Sequence, residues 1–118
     1  MGNNNNLLIS NIGKFLKINN FFDFNSKYIS ELRPTIDINI DDCLKNKIIK
    51  YSKILFKELF IKDYSRFDFF ITENNEIYLN EVNTLPGLTS TSLFTKLWEK
   101  NMTYLDVLNY IINEAINQ

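Results

Sequence analysis

Arg66-Phe67-Asp68-Phe69-Phe70-Ile71 and Ile77-Tyr78-Leu79-Asn80-Glu81-Val82-Asn83 decide how this chain is read. Between these two runs lies Asn74-Asn75, a dipeptide that tolerates the positive φ required in tight hairpin turns. Folding antiparallel about it sets Asp68 opposite Glu81 and Arg66 opposite Asn83. Side chains alternate faces along a strand. Arg66, Asp68, Phe70, Leu79, Glu81 and Asn83 are therefore expected on one face, and Phe67, Phe69, Ile71, Tyr78, Asn80 and Val82 on the other.

The first face carries the chemistry. Two carboxylates directly opposite each other sit about 5 Å apart at Cβ, which destabilises a sheet unless a cation or proton lies between them. Asp68, Glu81 and the amide oxygen of Asn83 form a hard, all-oxygen, incomplete ligand set, suited to Mg²⁺ shared with substrate phosphates and poorly suited to zinc. The pattern therefore points to nucleotide chemistry. The plainer alternative is a solvated sheet edge with scattered charges. Two features argue against it: the charges stand in an apolar run that reads as a buried strand, and Asn83-Thr84-Leu85-Pro86-Gly87 follows at once. That turn contains a glycine, which lets backbone N–H groups approach a ligand closely.

Composition narrows the class. With 45% hydrophobic and 23% charged residues, the 118-residue chain has the makeup of a globular domain or less. A net charge of -1 offers no basic patch, and the lysines concentrate on one helix as a solvated face, so nucleic acid is not an expected partner. No apolar run approaches the roughly 20 residues of a membrane span and no signal peptide is visible, so a cytoplasmic protein is expected. Met1-Gly2 begins like a myristoylation site, but Asn6 stands where Ser or Thr is needed. Cys43 is the only cysteine, which excludes an internal disulfide, and the lack of histidine excludes imidazole catalysis or ligation.

Local patterns give an α+β order. Residues 3–6 read as a polar leader, Leu7 to Ser10 as a short strand, and Asn11 to Lys14 as a turn into Phe15 to Ile18. Thr35 to Ile40 alternates with period two after Pro34 and reads as an extended edge. Asp41 or Asp42 caps a helix with Leu44, Ile48, Tyr51, Leu55 and Leu59 at helical spacing. Ser92 to Lys100 reads as a short helix. Thr103-Tyr104-Leu105-Asp106 resembles a capping box opening a final helix, whose Leu105, Leu108, Ile111, Ile112 and Ala115 are expected in the core. Neither an internal repeat nor an interdomain linker is evident.

Several strings together resemble one family. Arg66 to Phe70, Ile77 to Thr89, Ser92-Leu93 and Lys96-Leu97-Trp98 are similar to the C-terminal part of D-alanine-D-alanine ligases, members of the ATP-grasp superfamily. Phe21-Phe22-Asp23-Phe24-Asn25-Ser26-Lys27-Tyr28 resembles that family's active-site loop, with Phe22 and Phe24 where tyrosines are usual; Thr95 stands where proline is common. The resemblance spans nearly the whole chain. It implies the C-terminal portion of an ATP-grasp domain, mainly antiparallel sheet flanked by helices, with residues 1–118 forming a partial domain and the N-terminal domains absent.

The resemblance also implies roles. ATP phosphorylates the carboxylate of the first D-alanine, and the amine of the second attacks the acyl phosphate. Asp68, Glu81 and Asn83 match ligands of two Mg²⁺ (or Mn²⁺) sites, with Asn83 also facing the nucleotide. Arg66 matches the guanidinium that steadies the transferring phosphate, and Gly87 the backbone N–H at the oxyanion. Ser92, with Leu93, matches the site receiving the carboxylate of the second substrate, for which D-alanine, D-lactate and D-serine all remain open. Lys27 matches the lysine reaching the phosphate, Tyr28 the residue latching the loop closed, and Phe21 and Phe70 the adenine slot. Implied partners are ATP, D-alanine and, in trans, the missing N-terminal half; full-length members form homodimers. Taken residue by residue, plainer readings exist. Lys27 would be a surface lysine, Tyr28 a packing aromatic, Ser92 an N-cap, and Phe21 and Phe70 core. A fragment, a subunit of a split ligase and a non-catalytic nucleotide- or metal-binding module are the three functional readings.

Overall fold

The computed structural model describes residues 1–14, the backbone of 35–36, and residues 40–117. The loop carrying Phe21, Lys27 and Tyr28, together with the Phe15 to Ile18 segment before it, lies outside the described residues. Described strands are β1 (Gly2–Asn3), β2 (Asn6–Leu7), β3 (Gly13–Lys14), β4 (Thr35–Ile36), β5 (Arg66–Ile71) and β6 (Ile77–Asn83). They pair antiparallel as β1-β2, β3-β4 and β5-β6. The helices are α1 (Asp42–Glu58), α2 (Leu93–Lys96) and α3 (Tyr104–Ile116).

The polar leader is a hairpin. Asn3 Oδ1 accepts the backbone N–H groups of Asn5 and Asn6 at 2.9 and 3.0 Å, closing an Asx turn that the composition of residues 3–6 hides. Gly2 has φ +123, and a Cβ there would lie 2.2 Å from the Asn6 carbonyl oxygen, so only glycine fits. Its N–H donates to Asp63 O at 2.7 Å, which ties the first strand to the segment entering β5.

One apolar cluster joins the two ends of the chain: Met1, Phe94, Trp98, Val107 and Ile111 are buried together, with Leu8, Tyr64, Leu88, Met102 and Tyr110 packed against them. Phe94 meets Tyr64 and Trp98 in tilted ring contacts, centroids 5.4 and 6.5 Å apart. The Met1 ammonium donates to Leu8 O at 2.8 Å; burial pushes its pKa down to about 5, against the opposing pull of Glu114.

Both long helices are capped as expected. Asp41 accepts the Leu44 N–H at 3.3 Å, and Thr103 and Asp106 form the reciprocal capping box. Their buried faces differ from expectation. Helix α1 buries Ile48, Ser52 and Phe56, the Ser52 hydroxyl being satisfied by Ile48 O at 2.8 Å, while Tyr51 and Leu59 are exposed. Helix α3 buries Val107 and Ile111, while Leu105, Ile112 and Ala115 are exposed. The apolar stripe of α3 is wider than one packing face. The described elements cover only the side turned toward Met1, Phe94 and Trp98.

Candidate active site

The hairpin β5-β6 follows the expected register at its open end: Arg66 faces Asn83, Phe67 faces Val82 and Asp68 faces Glu81. Beyond Asp68 the register shifts, so Phe69 faces Leu79, Phe70 faces Tyr78 and Ile71 faces Ile77. Asn80 is the extra residue of a β-bulge, which reverses the faces expected for Leu79 and Tyr78. Leu79 joins Phe69 and Ile77 on an apolar face that, with Tyr51, Ile54 and Leu55 of α1, lines an open cleft. Tyr78 pairs with Phe70 instead. The loop is one residue longer than the expected turn: Asn75 takes the expected positive φ of 61, but Ile71 faces Ile77 and the Thr72 N–H reaches Glu76 O at 2.9 Å, so Glu73, Asn74 and Asn75 span it, and the bulge at Asn80 restores the expected register at Asp68.

The bulge leaves the polar end untouched. Arg66 donates from Nε to Asp68 Oδ1 and from Nη2 to Asp68 Oδ2, both at 2.9 Å, and its Nη2 lies 3.6 Å from Glu81 Oε1. The cation between the two carboxylates is thus a guanidinium of the protein itself. Such a pair is natural for residues i and i+2 of one strand, whose side chains share a face, and the fork matches a carboxylate edge. The buried strand expected here is half-buried: Arg66 and Asp68 side chains are 15% and 21% exposed, enough shelter to strengthen the pairing, while Phe70 and Tyr78 are 60% and 55% exposed. Phe70 therefore presents an open ring beyond the charged cluster.

Asn83 ends β6 and starts the next turn. Its Oδ1 accepts the Leu85 N–H at 3.1 Å, an Asx turn that aims the chain through Pro86 to Gly87 and leaves the amide oxygen a second lone pair. A Cβ at Gly87 would stand 2.9 Å from Ser92 Oγ, so a larger residue there would have to displace that hydroxyl. Ser92 occupies the N-cap position of α2, yet its side chain makes no cap bond. Ser92 Oγ instead accepts the Thr89 N–H at 3.1 Å and lies 2.7 Å from Thr89 Oγ1. Helix α2 is a single turn, so the dipole expected to assist an anion contributes little, and the hydroxyls carry that task.

Thr89 is a residue that the sequence reading missed; its signal was the Thr-x-x-Ser spacing of a hydroxyl turn. Thr95, buried where proline is common in the resembled family, places its hydroxyl 2.6 Å from Thr89 O and 2.9 Å from Ser92 O, clamping that turn from below. Leu93 is half-buried beside it, at the start of α2.

Could these residues hold a divalent cation? Among the described residues no group of three or more Asp, Glu, Cys or His converges. Asp68, Glu81 and Asn83 are hard oxygen donors around one end of a hairpin, an open set that fits Mg²⁺ completing its shell with phosphate and water. The donor chemistry therefore fits the implied metal.

Comparison with known proteins identifies the family. The family profile described as "D-ala D-ala ligase C-terminus" matches residues 1–113. The D-alanine--D-alanine ligase of Lactococcus lactis subsp. cremoris is 35% identical over 117 residues, covering 98% of this chain and 34% of that protein. The D-alanyl-alanine synthetase A structure from Vibrio cholerae superposes with a TM-score of 0.70 at 30% identity, over 94% of this chain and 35% of the other. The ATP complex of the D-alanine--D-alanine ligase from Bacillus anthracis gives 0.67 at 30% identity, over 74% and 30%. The chain spans about a third of the length of these relatives. With its α+β architecture, its E-x-N strand end and its match across residues 1–113, the chain belongs to the D-alanine-D-alanine ligase family of ATP-grasp proteins, as the C-terminal part.

Proposed function

We propose that this chain supplies the phosphate-, metal- and acceptor-binding portion of a cytoplasmic ATP-dependent D-alanine-D-alanine ligase acting in peptidoglycan precursor synthesis, and that these 118 residues alone do not catalyse. The observation that carries the reading is the convergence of Arg66, Asp68, Glu81 and Asn83 at one end of β5-β6, next to the Asn83 to Ser92 turn.

Charge is the difficulty of the reaction. A carboxylate must attack the γ-phosphate of ATP, and an amine must then attack the acyl phosphate. Bound Mg²⁺ would neutralise the phosphates, held by Asp68, Glu81 and Asn83. Arg66, permanently cationic and fork-shaped, steadies the phosphoryl oxygens in transfer and the oxyanion that follows. The Gly87 backbone N–H faces the same oxyanion. Ser92 donates its hydroxyl to the carboxylate of the second substrate: Ser92 Oγ already accepts the Thr89 N–H, and when the Thr89 hydroxyl is the donor of the 2.7 Å contact between the two side chains, the Ser92 proton is left for the substrate. Leu93 lines that pocket, Phe70 and Phe21 the adenine slot, and Lys27 and Tyr28 act from the loop over the phosphates.

The exposed Phe70, Tyr78 and Leu79 favour association with a further polypeptide, so a ligase split between two chains is the second reading. One experiment tests both. The chain is assayed with ATP, Mg²⁺ and D-alanine alone, then with the N-terminal two-thirds of the Lactococcus relative added or fused. Dipeptide only in the completed enzyme is expected; none in any combination would refute the ligase reading.

A further inference from the structure

The pairing of Arg66 with Asp68 has a consequence for how metal enters. Both oxygens of Asp68 are engaged by one guanidinium, at 2.9 Å each, and the same Nη2 reaches toward Glu81 at 3.6 Å. A divalent ion ligated by these carboxylates would stand within about 4–5 Å of that guanidinium, where a +2 and a +1 charge repel at roughly 2 kcal/mol even in water. Neither cation sits comfortably while the other holds the same oxygens.

Resting on the metal reading above, we propose that Arg66 is the resident counter-cation of the Asp68 and Glu81 pair, and that metal and guanidinium exchange places. Without metal, Arg66 neutralises one of the two carboxylate charges and satisfies both oxygens of the half-buried Asp68. When metal arrives with phosphates, the guanidinium swings off on its long stem and becomes available to the phosphoryl group. Metal occupancy and arming of the arginine are therefore one event. By linkage, Arg66 weakens metal binding in the absence of nucleotide as strongly as metal weakens the Arg66 to Asp68 pair.

The test uses the 118-residue chain with Mn²⁺ as probe, its free form followed by electron paramagnetic resonance at low ionic strength without nucleotide. Arg66→Gln should bind Mn²⁺ about fivefold or more tightly than the parent, since one opposing charge is gone. Equal or weaker binding by the variant, including none by either chain, overturns the exchange. Nitrogen-edited NMR of the unmutated chain gives a reading independent of how the variant folds: the Arg66 Nε–H resonance should move with Mg²⁺ at the midpoint of metal binding. An unmoved resonance while metal binds overturns the proposal. Asp68→Asn combined with Glu81→Gln separates the two layers. Binding that survives it places the metal elsewhere and defeats the metal reading itself, whereas binding lost there with Arg66 unmoved defeats the exchange alone.

Discussion

Arg66 grips Asp68 with two parallel N–H···O bonds, Nε to Oδ1 and Nη2 to Oδ2, across two residues of one strand face. Both side chains are mostly sheltered, so the pair lies between a surface ion pair and a buried one. A double-mutant cycle of Arg66→Ala and Asp68→Ala, read by urea midpoints, should give a coupling of about 1–2 kcal/mol. Coupling near zero would mean the two groups are held together by the fold and not by each other.

The bulge at Asn80 predicts a specific set of cross-strand contacts. Nuclear Overhauser effects should link Phe69 with Leu79 and Phe70 with Tyr78, and not Phe69 with Asn80 as a regular hairpin would. Leu79→Asp should open the cleft against α1, while Asn80→Asp should change stability by less than about 0.5 kcal/mol.

Helix α3 separates its two apolar sides energetically. Val107→Ala, at a fully buried position, should cost about 2 kcal/mol, and Leu105→Ala on the exposed side less than about 0.5 kcal/mol. Thr103→Ala, which removes half of the capping box, should cost about 1 kcal/mol. Chemical denaturation checks all three.

In a chain whose first residue is Met1, the amine titrates from 8.0 down to about 5 on folding. Between those values the unfolded chain binds the extra proton. Stability from this group is therefore full above pH 8, falls as pH drops toward 5, and shifts by a few kcal/mol at most. Urea midpoints measured from pH 8 to pH 5 should decline, and a chain extended before Met1 should lack that slope.

Ser92→Ala in the completed enzyme should raise the KM for the second substrate several-fold and leave the KM for ATP nearly unchanged. Thr89→Val, which keeps the N–H but deletes the hydroxyl beside Ser92 Oγ, should produce a smaller shift of the same kind. Equal loss of ATP binding would place Ser92 in another role.

What was legible and what was not has a common physical origin. Asp68 opposite Glu81 follows from counting outward from Asn74-Asn75 because two departures cancel: the loop holds one residue more than a two-residue turn, and the bulge at Asn80 takes up that residue before the polar end. The exchange of Leu79 and Tyr78 could not be read, since a bulge is a choice of backbone that leaves no mark on hydrophobic alternation. Thr103 with Asp106 was legible because capping is local. The buried side of α3 was not: it depends on which neighbours arrive, and Met1 and Phe94 come from opposite ends of the chain. The Arg66 to Asp68 pair lies within reach of the same alternation that places the carboxylates, since residues i and i+2 of a strand share a face.

Arg66, set among Asp68, Glu81 and Asn83, is the proposed transition-state charge partner of a ligase. The most direct measurement is kcat for D-alanyl-D-alanine formation by the completed enzyme with and without Arg66→Ala, under saturating ATP, Mg²⁺ and D-alanine. A fall of about a hundredfold or more, with the ATP KM little changed, is predicted. A kcat within twofold of the parent would contradict it.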